Sequence, residues 1–127
     1  MERATRQRNA IHSALAEAAR PLTPQEIHAL ALVHAPALGI ATVYRTINAM
    51  LQTGDLVSVP LPGEAPRYEL AGHEHHHHFH CTTCDRVFEV DGCPGDMQRL
   101  APRGFEVKSH ELTLYGRCRD CRRGHAA

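Results

Sequence analysis

The sequence lacks an excess of charge of either sign, a long apolar run and a zinc-protease motif in a predicted helix. Its 14 lysines and arginines balance its 14 aspartates and glutamates, so no overall field marks a nucleic-acid binder, although a local basic face would be enough. Without a signal-peptide pattern or a long apolar run, we expect a cytoplasmic protein outside the membrane. The absence of a helical HExxH motif and of a nucleophile arrangement predicts that the chain is not an enzyme.

The length of the chain limits the number of domains that it can form. Its 127 residues suffice for one ordinary domain or for two very small ones. Two half-size lobes could not each bury a comfortable core, and small lobes usually need a metal or a disulfide. The chain has five cysteines, which in a reducing compartment favour metal ligation or redox chemistry over disulfides.

The first half of the chain predicts three helices followed by a β-hairpin. Thr5 is the expected N-cap of the first helix and Pro21 its end, while Thr23 and Glu26 form a capping box for the second. Gly54 ends the third helix, and "LVSVPLPGEAPRYEL" predicts strand, turn and strand. The predicted core comprises Ile11, Leu15, Ala18, Ile27, Leu30, Leu32 or Val33, Val43, Ile47, Met50 and Leu51. This order matches a winged helix.

The polar face of the third helix is the candidate DNA-binding surface. It carries Thr42, Tyr44, Arg45 and Asn48. Arg45 is the expected phosphate or guanine contact, and Tyr44 could pack on a thymine methyl group. A partly buried helix position is the alternative for Tyr44.

The second half of the chain predicts a small α/β lobe. "HHHFHC", "RVFEV", "FEVKSH" and "ELTLYGRC" have the pattern of short strands, and "PGDMQRLAPR" that of a short helix. The last residues, "RRGHAA", are expected to fray.

Two CxxC pairs in this lobe predict a structural zinc site. Cys81 and Cys84 form one pair, Cys118 and Cys121 the other, and 33 residues separate the pairs. Four thiolates form the closed tetrahedral set of structural zinc, and such an ion would join the start of the lobe to its end. A redox dithiol is the alternative. Cys93 remains outside this set, and we expect a simple thiol there, with a sensing role as the alternative.

The histidine run before the first pair suggests further metal ligands. In a strand, alternate side chains face opposite sides, so His75 and His77 would point one way and His76 and His78 the other. One strand could then donate imidazole pairs to two metal sites, completed from Glu69, Glu89, Asp96 and His110. A solvated histidine tract that binds metal weakly is the alternative.

Three segments in this order resemble the Fur family of bacterial metal-responsive repressors. They are "GIATVYRTINAM", "HHHHFHCTTC" and "SHELTLYGRCRDC", and the resemblance covers nearly the whole chain. It implies an α+β protein with a winged-helix DNA-binding domain over residues 1–70, a hinge near Leu70 and an α/β dimerisation domain over residues 71–127. It also implies a homodimer that binds palindromic operators in double-stranded DNA when its regulatory metal is bound.

The resemblance also assigns metal ligands by position. The structural zinc set is Cys81, Cys84, Cys118 and Cys121. The regulatory set at the hinge is Glu69, His76, His78 and Glu89. The second set, within the dimerisation domain, is His75, His77, Asp96 and His110.

Two departures from the family pattern favour zinc as the signal. No ligand stands near Pro21, where iron and peroxide sensors of the family usually have a histidine, and His77 replaces a frequent aspartate. Nitrogen-rich sites with four ligands suit Zn²⁺ better than Fe²⁺ or Mn²⁺. Against this, zinc sensors often use a cysteine where this chain has Glu69. The sequence thus predicts a zinc-sensing repressor of metal-uptake genes.

Other functions fit parts of the sequence. An iron, manganese or peroxide sensor of the same family is one alternative, and a zinc store or metallochaperone is another. A metalloenzyme that activates water beside Glu69, Glu74 or Glu89 is a third.

Overall fold

A computed structural model describes residues 2–72, 76–93 and 95–124. The chain divides into two compact units, Met1–His73 and Glu74–Ala127. Within the described ranges, no helix is long and apolar enough to cross a membrane.

The N-terminal unit consists of three helices and a two-stranded antiparallel sheet. The elements are α1 (Glu2–Ala18), α2 (Pro24–Ala31), α3 (Ile40–Gln52), β1 (Leu56–Leu61) and β2 (Glu64–Leu70). Pro60 cannot donate to the ladder, and the register shifts between Val59 and Leu61. The turn between the strands contains Gly63 at a φ of 74°, a left-handed conformation that glycine adopts at little cost. This order is that of the predicted winged helix.

One apolar core holds the N-terminal unit together. Its buried members are Ala10, Ile11, Ala14, Leu15, Leu22, Ile27, Ala31, Leu38, Val43, Ile47, Met50 and Leu56. The backbone of Leu22 exchanges two hydrogen bonds of 2.9 Å with that of Tyr68, so the connection between α1 and α2 is tied to β2. The core therefore fixes the hairpin as well as the helices.

The capping box of α2 was predicted correctly, but the start of α1 was not. Thr23 Oγ1 accepts from the Glu26 N–H, and Glu26 Oε1 accepts from the Thr23 N–H. Thr5 lies inside α1 instead of capping it, because the good helix formers before it extend the helix. The helix ends at Ala18 and is followed by Ala19 at a φ of 52°, two residues before Pro21.

The predicted buried stripe of α2 needs a correction. Of the two alternatives Leu32 and Val33, Leu32 packs against the core, whereas Val33 lies beyond the helix and is 79% exposed. Leu30 is 39% exposed. The helix is only eight residues long, so Ala31, four residues after Ile27, takes the second buried position. The prediction assumed a longer helix than the chain forms.

The C-terminal unit contains a three-stranded sheet of order β4-β3-β5. Its elements are β3 (His77–Cys81), β4 (Val87–Val90), a 3-10 turn (Gln98–Leu100), β5 (Thr113–Gly116) and α4 (Arg119–Arg122). Strand β4 runs antiparallel to β3, and β5 runs parallel to it. The central strand is therefore the one that carries the histidines.

Two predicted elements of this unit differ in the structure. The segment "FEVKSH", residues 105–110, forms no strand, and the predicted helix around residue 98 is a single 3-10 turn. The Gln98 side chain donates to the Phe105 carbonyl at 2.6 Å and accepts from the Val107 N–H at 2.9 Å. These contacts satisfy backbone groups that a strand ladder would otherwise use.

Replacing Thr23 by alanine should destabilise the N-terminal unit by about 1 kcal/mol, because the capping box loses the hydroxyl that accepts from the third helical N–H. Urea unfolding followed by the helical circular dichroism signal measures this. Ser58→Ala, at an exposed position of β1, is the control and should stay within about 0.5 kcal/mol. Equal stability of the two variants would contradict the role of the cap.

Candidate metal centres and DNA-binding surface

The parallel pairing of β3 with β5 brings the two CxxC pairs together. Cys81 ends β3 and lies opposite Gly116, which ends β5. Because parallel strands end at the same edge of a sheet, the turn after β3 and the residues leading into α4 meet there. The Thr82 N–H donates to the Gly116 carbonyl at 2.8 Å, which holds this edge closed. Cys118 is the N-cap of α4, and Cys121 lies inside that helix.

The four sulfurs have the spacing of a tetrahedral zinc set. The ligand atoms of Cys81, Cys84, Cys118 and Cys121 all lie within 4.8 Å of one another. Cys84 Sγ and Cys118 Sγ are 3.8 Å apart, and a tetrahedron with Zn–S bonds of about 2.3 Å has edges of roughly 3.8 Å. All five cysteines of the chain are free thiols. The arrangement fits a zinc ion and disfavours a redox dithiol within one pair.

Hydrogen bonding and burial shift the pKa values of the Cys81, Cys84 and Cys121 thiols in different directions. The N–H groups of Cys84 and Cys118 donate to Cys81 Sγ at 3.4 and 3.3 Å, and this hydrogen bonding lowers the pKa of the Cys81 thiol to about 6. Burial raises the pKa of the Cys121 thiol to about 12 and also raises that of Cys84. Four clustered thiolates, two of them buried, need a cation beside them, and metal binding therefore releases protons and weakens as the pH falls.

A second cluster lies at the opposite end of β3. His77 starts the strand and is 1% exposed. Its Nε2 atom is 3.2 Å from His110 Nε2, and His110 Nε2 is 3.2 Å from Cys93 Sγ. These three residues form a group that could hold a metal ion. Of the predicted second set, the structure thus brings together His77 and His110.

The other predicted members of the second set are not in this group. His75 lies outside the described residues. Asp96 Oδ1 accepts from the N–H of Gln98, the first residue of the 3-10 turn, at 2.8 Å. Sequence reasoning did not assign Cys93 to this site. Val90, the last residue of β4, pairs with His77, and Cys93 follows Val90 by three residues. An alignment of β3 with β4 would therefore have placed Cys93 near His77.

Part of the predicted regulatory set gathers on the other side of β3. The rings of His76 and His78 lie edge to face with centroids 4.8 Å apart, and His78 is the register partner of Glu89 on β4. Directly opposed residues of antiparallel strands carry their side chains on the same face. Glu69 belongs to the N-terminal unit, where it pairs with Val57 in the hairpin, and its place in the set stays a prediction.

The outer face of α3 presents the predicted DNA-contacting residues. Tyr44, Arg45 and Asn48 are exposed, and Thr42 is partly exposed. The Arg45 guanidinium donates to Thr42 Oγ1 at 2.9 Å, and Gln25 of α2 donates to the Tyr44 hydroxyl at 2.9 Å. Tyr44 is 44% exposed, so its side chain is accessible from solvent, and its contact with DNA stays a prediction.

A groove between α1 and α3 extends this surface. Arg3 and Arg8 of α1 and Arg45 of α3 all line it. Arg8 is also paired with Asp55, just after α3. In a chain without net charge, this groove gathers the local positive charge that phosphate binding requires. Sequence reasoning missed Arg3, which lines the groove together with Gln7, four residues further along the same helix face.

The chain matches known proteins over almost its whole length. The model of the "Ferric uptake regulator family" matches residues 2–115. The chain belongs to the Fur family. A curated relative, the ferric uptake regulation protein of Campylobacter jejuni, is 31% identical over 122 residues, which cover 92% of this chain and 78% of the relative.

Solved Fur-family structures share the fold. The ferric uptake regulator of Helicobacter pylori, described as having three functional metal binding sites, aligns with a TM-score of 0.70 and 25% identity, covering 91% of this chain and 79% of that one. FurB of M. tuberculosis, a zinc uptake regulator, aligns with a TM-score of 0.52 and 31% identity, covering 94% of this chain and 95% of that one. The likeness confirms the predicted α+β class with a winged helix and a dimerisation domain.

Membership of the Fur family sets the general function. Fur-family proteins are metal-responsive transcription regulators that bind DNA and act as dimers. This agrees, at the level of the family, with the prediction that the chain is not an enzyme.

Replacing Cys84 by serine should remove the tightly held zinc and unfold the C-terminal unit, because a three-thiolate set no longer closes the end of the sheet. Metal content by mass spectrometry and strand content by circular dichroism measure the two effects. Cys93→Ser, at a cysteine outside the four-sulfur cluster, is the control and should keep the tightly held ion. A folded Cys84→Ser variant with full zinc content would rule out this role of the cluster.

Proposed function

We propose that this Fur-family chain is a zinc-responsive repressor of metal-uptake genes that acts in the cytoplasm as a homodimer on palindromic operators. The general function follows from the family, whereas the metal, the operator and the target genes are the proposal. The observation that carries the zinc assignment is the nitrogen-rich group of side chains at the start of β3.

The donor atoms around β3 favour zinc over iron and manganese. His76 and His78 have ring centroids 4.8 Å apart, and His77 contributes a further imidazole where a family oxygen ligand is frequent. Borderline imidazole ligands in small sets suit Zn²⁺, whereas Mn²⁺ prefers a larger number of oxygen ligands. The regulatory set that we propose is Glu69, His76, His78 and Glu89.

The region before α2 supports the same assignment. An iron or peroxide sensor of the family would be expected to have a histidine ligand here. In this chain Pro21 and Leu22 are buried, and the Arg20 guanidinium is 3.3 Å from Glu26 Oε2. None of these three side chains offers a metal ligand, so this segment does not supply the extra donor that higher coordination needs.

Iron sensing is the second candidate. The C. jejuni relative is named for ferric uptake regulation, and the M. tuberculosis relative for zinc uptake, while both are 31% identical to this chain. Sequence identity therefore does not decide between iron and zinc as the sensed metal, and the proposal depends on the chemistry of the ligands instead. A zinc store would use the same histidines but would not need the polar face of α3.

The regulatory residues come from segments that flank the hinge near Leu70. His76, His78 and Glu89 belong to the C-terminal unit, and Glu69 belongs to β2 of the N-terminal unit. A bound ion would supply the positive charge that holds these imidazoles and carboxylates in one set. Holding them restricts the conformations of the hinge near Leu70, so that operator binding no longer has to select one conformation from many.

The exposed side chains of α3 are suited to reading the major groove. Arg45 can contact guanine or phosphate, and Asn48 lies three residues further along the same helix. Thr42 accepts from Arg45 at 2.9 Å and so pre-orients the guanidinium. In a homodimer on a palindrome, two such helices would enter successive major-groove turns, roughly 34 Å apart.

Operator binding should strengthen with free Zn²⁺ at concentrations where Mn²⁺ and Fe²⁺ have little effect, because the histidine-rich set selects zinc. Fluorescence anisotropy measures this on a DNA duplex selected from a random pool in the presence of zinc, with metal buffers and without oxygen. An equal response to all three metals would exclude zinc specificity. The absence of salt-sensitive DNA binding in every condition would favour a zinc store.

The variant His78→Ala tests whether the zinc response of DNA binding comes from the proposed regulatory set. It should remove the zinc dependence of DNA binding while leaving the four-sulfur cluster intact, and His12→Ala, at an exposed position of α1, is the matched control. A His78→Ala variant with the full zinc response would show that the regulatory ion binds elsewhere.

Replacing Arg45 by alanine should weaken operator binding by about 1–3 kcal/mol, because the side chain loses its contact with guanine or phosphate. Measuring both the selected duplex and an unrelated duplex separates the two contacts, since only a guanine contact reduces the preference between them. Arg103→Ala, at an exposed position of the C-terminal unit, matches the change in charge. Unchanged affinity of Arg45→Ala would remove this residue from the interface.

A further inference from the structure

The amino end of β3 holds a soft ligand group whose composition differs from the set that the family resemblance implies. We propose that Cys93 is a thiolate ligand of the second metal site, together with His77 and His110, and that Asp96 is not a ligand. The proposal deepens the proposed metal-sensing function and rests on it for the biological purpose of the site. The ligand set itself rests on the geometry of the three side chains.

The topology of the sheet explains why these residues meet. His77 begins β3 and pairs with Val90, the last residue of β4, so the chain leaving β4 passes close to His77. Gly92, at a φ of 112°, adopts a left-handed conformation that turns the chain just before Cys93. Strand β5 runs parallel to β3, and His110 precedes β5 by three residues. Two segments from opposite sides of β3 thus converge on one buried imidazole.

The distances match those of metal ligands. Two nitrogen ligands at about 2.0–2.1 Å from a tetrahedral zinc ion lie roughly 3.3 Å apart, and the Nε2 atoms of His77 and His110 are 3.2 Å apart. A sulfur and a nitrogen ligand would lie roughly 3.5 Å apart, and Cys93 Sγ is 3.2 Å from His110 Nε2. A movement of a few tenths of an ångström by an exposed side chain closes that difference.

The chemistry of the contact also favours a cation. His110 Nε2 faces both another imidazole nitrogen and a thiol, and one nitrogen atom cannot serve both neighbours equally with a single proton. A metal ion uses the lone pairs of all three atoms at once. Cys93 is exposed whereas His77 is buried, so an ion entering from solvent meets the thiol first.

The Asp96 side chain contacts the backbone of the 3-10 turn and not the group around His77. Its Oδ1 atom accepts from the Gln98 N–H at 2.8 Å, which ties the carboxylate to the 3-10 turn that follows. Among the described residues, the group that includes His77 contains Cys93 and His110 and no carboxylate. A thiolate in place of an oxygen ligand shifts the preference of the site from Mn²⁺ towards Zn²⁺.

Cobalt spectroscopy tests the proposal on the full-length chain. The four-sulfur cluster is kept loaded with zinc, labile metal is removed with a mild chelator, and Co²⁺ is added. We expect near-ultraviolet thiolate-to-cobalt charge transfer in the unaltered chain and its loss in Cys93→Ser, with Co²⁺ affinity reduced by at least roughly tenfold. Asp96→Asn should keep both the band and the affinity. The zinc content is measured in each sample to verify that cobalt has not replaced the structural ion.

Thiol protection gives a second measurement. Cys93 should react with an alkylating reagent in the chelated protein and be protected when Zn²⁺ is added, whereas in His110→Ala it should react in both conditions. The proposal is overturned if cobalt binds without a thiolate band and Asp96→Asn weakens it, or if zinc leaves Cys93 fully reactive. Both measurements omit DNA, so a failure here is distinct from a failure of zinc to control operator binding.

Discussion

Four cysteine sulfurs that meet where β3 and β5 end are the constraint on which the C-terminal unit depends. The N-terminal unit has a continuous apolar core, but the buried apolar residues among the described part of the C-terminal unit are only Cys81, Val87 and Cys121. Within a single chain, burial of so little apolar surface contributes little against the entropy of ordering three short strands. Binding of a structural zinc ion by four thiolates contributes about 10–16 kcal/mol in small zinc domains, and it acts where both strands end.

Once the zinc site joins the ends of β3 and β5, the ordered strand β3 holds metal-ligating side chains at both of its ends. Its carboxyl end provides Cys81 to the sulfur cluster, and its amino end presents His77 towards Cys93 and His110. On the other face His78 lies opposite Glu89, beside His76. We propose that neighbouring residues of this one strand bind both the structural and the exchangeable metal ion.

The sequence predicted those features that local chemistry determines and missed those that depend on tertiary contacts. The capping box at Thr23 and the hairpin follow from short-range patterns, and the meeting of the two CxxC segments follows from the four ligands that a zinc ion needs. The structure has all three. The strand predicted over residues 105–110 does not form, because Gln98 satisfies its backbone instead of a neighbouring strand. Cys93 was unassigned because its approach to His77 depends on the strand register, and no local pattern reports that register.

Hydrogen–deuterium exchange with mass spectrometry tests the central claim most directly. Backbone amides are followed in the zinc-loaded protein and after removal of the tightly held ion by a strong chelator. The account predicts that protection of β3, β4 and β5 collapses on zinc removal, while α1, α2 and α3 stay protected by their apolar core. Unchanged protection of the three strands in protein shown to be free of zinc would contradict it.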